Sequence, residues 1–277
     1  MNNRKKISLS LVLIISFFTF FQKAEAADLK SAAKSLDSSL NDLIQAKDDS
    51  SSQNKLSEEE DIAYRKKIIL SAINLSFKEI SSLEEKLKGL SLEEKSDSFV
   101  IRTKMLDFLK SADAYYKEAE KNLDGSKVSL EKIKDLAKSI KEYRDGSYDP
   151  EVLKMLDFVV IFQTERLIGN TNDRWDKIDS DIKKLDKANL IDAADFAKDM
   201  NSAKEGINSA KTLVSKAKTI FIEANKPKEA ASVKNEEKIA EDSPTPKELC
   251  ETALVNLKSS YDYFVKTSSG VKKSLKI

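Results

Sequence analysis

The chain has 277 residues, of which 34% are charged, with 48 basic against 47 acidic side chains and no histidine. Such a balance gives no general drive toward nucleic acid or anionic lipid, because either needs a basic excess on some face. The missing histidine excludes Ser-His-Asp and Cys-His catalysis, His-bearing zinc and Glu-x-x-His di-iron bundles, and a single cysteine excludes a four-cysteine cluster or an intramolecular disulfide.

Six glycines and four prolines are too few for a protein of sheets and turns, so the composition predicts an all-α chain. The pattern is that of an elongated antiparallel helical bundle built of coiled-coil hairpins, in one body or two smaller ones. At the N-terminus Arg4, Lys5 and Lys6 precede an apolar stretch from Ile7 to Phe21, followed by Ala24-Glu25-Ala26. Basic, apolar, then small-x-small is the order that signal peptidase reads, so residues 1–26 are a signal peptide cut between Ala26 and Ala27. An apolar run of roughly 15 residues is short of the ~20 that a spanning helix needs. No cysteine follows the run for lipid attachment. The processed chain, having lost four basic residues and one acidic one, carries 44 against 46. It is expected outside the cytoplasm, in a periplasm or secreted, with no stable membrane insertion.

A bundle then occupies 27–225. Its first helix, 28–47, shows Leu29, Ala32, Leu36, Leu40, Leu43 and Ile44 at three-and-four spacing, and the polar run 48–54 is a connection. Ser57 with Glu60 is a capping box opening a helix over 58–88, with the stripe Ile62, Ile69, Ile73, Ile80, Leu83 and Leu87 and a left-handed stop at Gly89. Ser91 with Glu94 repeats the box, so a helix over 92–123 folds back as a hairpin. Its inner face is Phe99, Leu106, Leu109, Ala112, Tyr116, Ala119 and Leu123, and Gly125 closes it. A shorter helix, 127–144, carries Leu130, Ile133, Leu136, Ile140 and Tyr143 before Gly146.

Asp149-Pro150 reads as an N-cap and first-turn proline opening a helix over 150–187. Its stripe is Leu153, Leu156, Val160, Leu167, Ile178, Ile182 and Leu185, with a weak middle at Gly169-Asn170 where a kink is expected. From 192 to 225 the seam Ala193, Phe196, Met200, Ala203, Ile207, Ala210, Val214, Ala217, Phe221 and Ala224 alternates threes and fours throughout. Alanines one heptad apart admit a close partner helix, expected to be 150–187 folded back. Residues 226–245 hold two of the four prolines, with a third following at Pro246, and read as a disordered linker. Thr245-Pro246-Lys247-Glu248 caps a last helix, 246–269, with Leu249, Cys250, Leu254, Leu257, Tyr261 and Phe264. A basic tail, 270–277, ends the chain.

No glycine-rich phosphate loop is present. Asp173, Asp176 and Asp179 line one side of a helix but interleave with Arg174, Lys177, Lys183 and Lys184, which is the pattern of a solvated charged face rather than a calcium site. The turn from Asp145 to Glu151 is better shaped for a ligand or cation. Tyr143, Arg144, Asp145, Asp149 and Glu151 are therefore the candidate binding residues, although the turn lacks the ligand count of a calcium loop and no metal or cofactor is expected. Arg144, Arg166 and Arg174 suit planar contacts with carboxylates, within the protein by default. Met155–Phe162 is apolar nearly all round, which fits burial by several helices before it fits a binding surface. Trp175, Tyr143 and Tyr148 are rim or core aromatics before they are pocket walls, and Cys250 is a small buried hydrophobe before it is a link between chains. These features predict a non-enzymatic structural or interaction protein, its partners being proteins met through helix faces, with homo-oligomers left open. An extracytoplasmic bundle holding a small ligand or cation, or acting as a chaperone-like holder, is the alternative. An enzyme using only Asp, Glu, Lys and Tyr, for example a carbohydrate hydrolase, ranks below both, since such clefts are rarely built from helices this regular.

Overall fold

A computed structural model describes residues 57–124, 128–226 and 244–275. The expected signal peptide with Ala24, Ala26 and Ala27, the helix expected over 28–47, the stop expected at Gly125 and most of the expected linker lie outside those residues. The protein is all-α: α1 (Glu58–Lys88), α2 (Asp97–Asp124), α3 (Leu130–Tyr143), a π-helical turn (Arg144–Tyr148), α4 (Asp149–Lys187), α5 (Ala194–Asn225) and α6 (Pro246–Ser274), with no strand among the described residues. No described helix is long and apolar enough to cross a membrane.

Local capping chemistry places most boundaries. Glu60 Oε2 accepts from the Ser57 N–H at 2.8 Å while Ser57 Oγ accepts from the Glu60 N–H at 3.3 Å, so α1 starts where the sequence predicts. The reciprocal pair recurs at Thr245 and Glu248, at 2.8 and 3.2 Å. The box expected at Ser91 and Glu94 does not form. Lys95 takes a left-handed φ of 66°, which interrupts any helix begun at Ser91, and α2 starts only after it. Ser96 Oγ then accepts from the Phe99 N–H at 3.2 Å, and Arg102 Nη1 donates to the Leu90 carbonyl at 2.9 Å.

The left-handed stop expected at Gly89 is also absent, since no described glycine has positive φ. The position that does need one is Asn189, at φ 52°. There the Leu190 N–H reaches the Leu185 carbonyl and the Asn189 N–H the Asp186 carbonyl, at 3.0 and 2.8 Å, the paired bonds of a Schellman ending for α4. Before that stop α4 runs through Gly169 and Asn170 without a break.

The chain forms two compact units, one of residues up to Glu84 and from Asp107 to Glu151, the other of Glu85–Leu106 and Val152 onward. In the first, Ile69, Ile73, Ile80 and Leu83 of α1 are buried, as are Leu109, Ala112, Tyr116, Ala119 and Leu123 of α2 and Ile133, Ala137 and Ile140 of α3.

In the second, eight of the ten expected seam residues of α5, Phe196 to Phe221, are buried. One side of this helix meets α4: Trp175 Nε1 donates to the Met200 carbonyl at 2.8 Å, Lys218 pairs with Glu165 at 2.9 Å, and the rings of Phe158 and Phe221 lie 5.6 Å apart. The close approach that the alanine seam was expected to make with 150–187 is made instead with α6, which docks antiparallel on it at Ala203 and Gly206. Asn256 bonds Ser209 at 3.0 Å, Ser260 lies 2.9 Å from the Ala203 carbonyl, and Lys266 pairs with Asp199 at 2.8 Å. The close approach needs glycine twice, because a Cβ on Gly206 would fall on the Ser260 hydroxyl and one on Gly270 would come within 2.8 Å of Phe196 Cε1. Helix α6 therefore continues to Ser274, past the expected end at 269 and through most of the expected tail, because docking of its last turns outweighs the poor helix propensity of Gly270. Leu153, placed on the stripe of α4 by spacing, is instead 63% exposed.

Candidate functional site

The stretch from Asp145 to Glu151 is not a loop. The Asp149 N–H bonds the Arg144 carbonyl five residues back, so α3 passes into α4 through one π turn. Neither a stop at Gly146 nor an N-cap at Asp149 exists. Proline explains the widened turn: Pro150 has no N–H, and its ring would strike the carbonyl of Gly146 in a regular α-helix. Asp145 faces outward to pair with Lys141 at 3.0 Å. Backbone carbonyls that a cation loop would offer are engaged in the helix. No group of three ligand-type side chains is gathered anywhere among the described residues.

The π turn aims Arg144 and Tyr148 into the first unit, where both are buried. Arg144 Nη1 donates to Ser76 Oγ at 3.0 Å and to Glu79 Oε2 at 3.1 Å, while Nη2 lies 3.0 Å from Asp149 Oδ1. The Arg144 and Glu79 side chains are only 7% and 8% exposed, whereas Asp149 is 45% exposed. Ser76 completes the set by donating to the Ala72 carbonyl at 3.2 Å. The guanidinium also sits over the Tyr148 ring, 5.1 Å from its centroid. Around it Tyr116 and Tyr148 meet edge to face at 5.7 Å, and Tyr143 stacks on Tyr115 at 3.9 Å. The Tyr116 and Tyr148 hydroxyls are buried without a hydrogen-bond partner.

Burial lifts the Glu79 carboxyl above the usual carboxylate range, a lift that the adjacent Arg144 charge opposes. Burial pulls the guanidinium down, but Glu79, Tyr116 and Asp149 more than restore it, and it stays a cation. Donor and acceptor are 3.1 Å apart, and this charge-assisted contact favours the ionised pair against the burial that opposes it. Burial pushes the Tyr116 hydroxyl up to about 12 and raises that of Tyr148 further, with Glu79 adding to the rise. Neither phenol ionises near neutrality, so neither serves as a general base there.

Of the five predicted binding residues the structure brings together Tyr143, Arg144 and Asp149, turns Asp145 away, and leaves Glu151 half-buried on the first turn of α4. The partners that complete the centre, Ser76 and Glu79, were not singled out. One signal was available: Ile73 and Ile80 are seven apart on a buried stripe, and the heptad position between them is Ser76. A polar residue at a seam position marks a buried polar contact.

Elsewhere the candidate groups have local uses. Asp176 accepts from Asn172 at 2.9 Å and Asp179 pairs with Lys183 at 2.6 Å. Lys204 lies 4.3 Å from the centroid of the Trp175 ring, against the core of Ile182, Phe196 and Met200. Arg166 is exposed and Arg174 half-buried. Met155, Phe158, Val159 and Ile161 are buried. Cys250 is buried too, and burial beside Asp157 pushes its thiol up to about 11. Comparison of the chain with protein-family models, with curated proteins and with solved structures gave no match in any of the three.

Proposed function

We propose that this chain is an exported, non-enzymatic helical protein that engages other proteins through the outer faces of its helices. The observation that carries the reading is the closed polar centre at Arg144: its charges are spent on one another at 7% and 8% exposure, which suits a structural clamp and not a cleft for substrate. The reading of residues 1–26 as a cleaved signal peptide supports release into a periplasm or the medium. The small-ligand alternative drew on the apolar run Met155–Phe162 and on an acidic loop at Asp145–Glu151. The burial of four residues of that run and the helical backbone of that segment favour the interaction reading over it.

Crosslinking with mass spectrometry on the native exported protein tests the proposal. Reproducible crosslinks from exposed lysines of α4, α5 or α6 to another protein or a second copy are expected. A turnover activity that survives purification and is lost on a single polar substitution would overturn the non-enzymatic reading. Recovery of unprocessed chain from the cytosol would overturn export.

A further inference from the structure

Helix α1 carries its buried residues in series that repeat every seven positions: Ile69, Ser76 and Leu83; Ile73, Ile80 and Leu87; Arg65, Ala72 and Glu79. The second series is aliphatic throughout, and the first is aliphatic at both ends. Sliding α1 along its own axis by one heptad, about 10 Å, would lay an isoleucine or leucine where another lay before at most positions of these two series. Apolar packing discriminates weakly between such registers, because cores accept an aliphatic exchange of similar volume. The connection to α2 does not fix the register either, since the residues between Lys88 and Asp97 can span about 26 Å when extended.

Ser76 and Glu79 break the repeat, and they are the two side chains that α1 offers to Arg144. A slip in one direction would set Ile69 and Ala72 against the guanidinium, and a slip in the other Leu83 and Lys86. The first pair accepts no hydrogen bond from its side chains, and the second adds a like charge. Either way Arg144 keeps Asp149, which lies on its own segment, while Glu79 carries a buried carboxylate away from its cation. A buried charge parted from its partner is strongly destabilising. We propose that the Arg144 centre is a register lock, selecting one of several near-equivalent positions of α1 along the first unit. A polar contact set in an otherwise apolar seam fixes register in coiled coils by the same means. This asks more of the centre than clamping, and it holds whether or not the chain is exported or meets a partner protein.

Nuclear magnetic resonance of the full chain, with aromatic and leucine side chains labelled, tests this. The Tyr116 ring lies 6.3 Å from that of Phe77 between centroids, and in the parent it should give one signal with cross-relaxation to Phe77. Glu79→Leu combined with Arg144→Met should remain helical by circular dichroism and show a second Tyr116 signal, at least about a tenth of the total, that has lost its Phe77 contact. A single Tyr116 signal that keeps that contact overturns the proposal. Should the double variant fail to fold, a transplant decides. Ile69→Ser, Ala72→Glu, Ser76→Ile and Glu79→Ala together move the lock one heptad toward the N-terminus, so Tyr116 should exchange its Phe77 contact for one with Leu70. A retained Phe77 contact, or a transplant that no longer folds, refutes the interchangeable registers on which the lock depends.

Discussion

Replacing Arg144 with methionine removes the cation from beside Glu79 while keeping most of the aliphatic volume, and so asks what the buried pair contributes. Glu79, 8% exposed, loses its charged donor at 3.1 Å, Ser76 loses a donor at 3.0 Å, and Asp149, 45% exposed, loses a partner that water largely replaces. Breaking a buried pair from one side costs about 3–5 kcal/mol, because the surviving charge is left without compensation. That is a large share of the ~5–15 kcal/mol that holds a domain together. The cost must depend on pH. In the variant nothing opposes the lifting of the Glu79 carboxyl by burial, so its folded pKa lies further above the unfolded value. The native state then holds an extra proton between those two values, and stability falls as pH rises through the folded pKa. Lowering the pH through that window should recover about 1.4 kcal/mol per unit until the unfolded carboxyl also protonates.

Urea unfolding followed by circular dichroism, at about pH 8 and about pH 5, measures both quantities. The single tryptophan is Trp175 of the second unit, so its fluorescence serves as an internal control, while the tyrosine near-ultraviolet signal, with five of the seven tyrosines in the first unit, weighs toward the first. A cost under about 1 kcal/mol at the higher pH, or the same cost at both, refutes the reasoning. Pairing Arg144→Met with Glu79→Leu should regain most of the loss, since two apolar groups leave no charge stranded.

Tyr116→Phe and Tyr148→Phe each remove a buried hydroxyl that has no partner and should cost under about 0.5 kcal/mol or stabilise, as read by urea midpoint; a loss near 2 kcal/mol would mean the hydroxyl is bonded in solution. Gly206→Ala and Gly169→Ala make an opposed pair. The first meets Ser260 and should destabilise by about 1–3 kcal/mol, while the second meets nothing and should stabilise by up to about 1 kcal/mol through helix propensity; both shifts read in thermal melts. Thr245→Ala removes one half of the cap on α6 and should lower stability by about 1 kcal/mol, with the loss confined to exchange rates in 246–274.

Helix α1 shows how far local pattern reaches: its capping box and apolar stripe were legible, because each depends on residues within a turn or two, and it does end at Lys88 although Gly89 lacks the left-handed conformation expected to stop it. The α5 seam was legible for the same reason, its periodicity being a property of one helix. Where a boundary depended on backbone strain, at Lys95 and Asn189, side-chain type was a poor guide, since either residue adopts φ > 0 only when the surrounding chain requires it. The polar centre divides the same way. Tyr143, Arg144 and Asp149 are neighbours in sequence and stood out as a group, but Ser76 and Glu79 reach Arg144 from 68 and 65 residues away. No periodicity encodes that meeting. The sequence alone determined that the chain makes amphipathic helices and where most of them run, because propensity, capping and face are local. Only the tertiary structure decided that an apparent acidic loop is a π turn, that its arginine is an internal clamp, and that the last helix lies along α5. Each of those outcomes depends on which distant surfaces exclude water together.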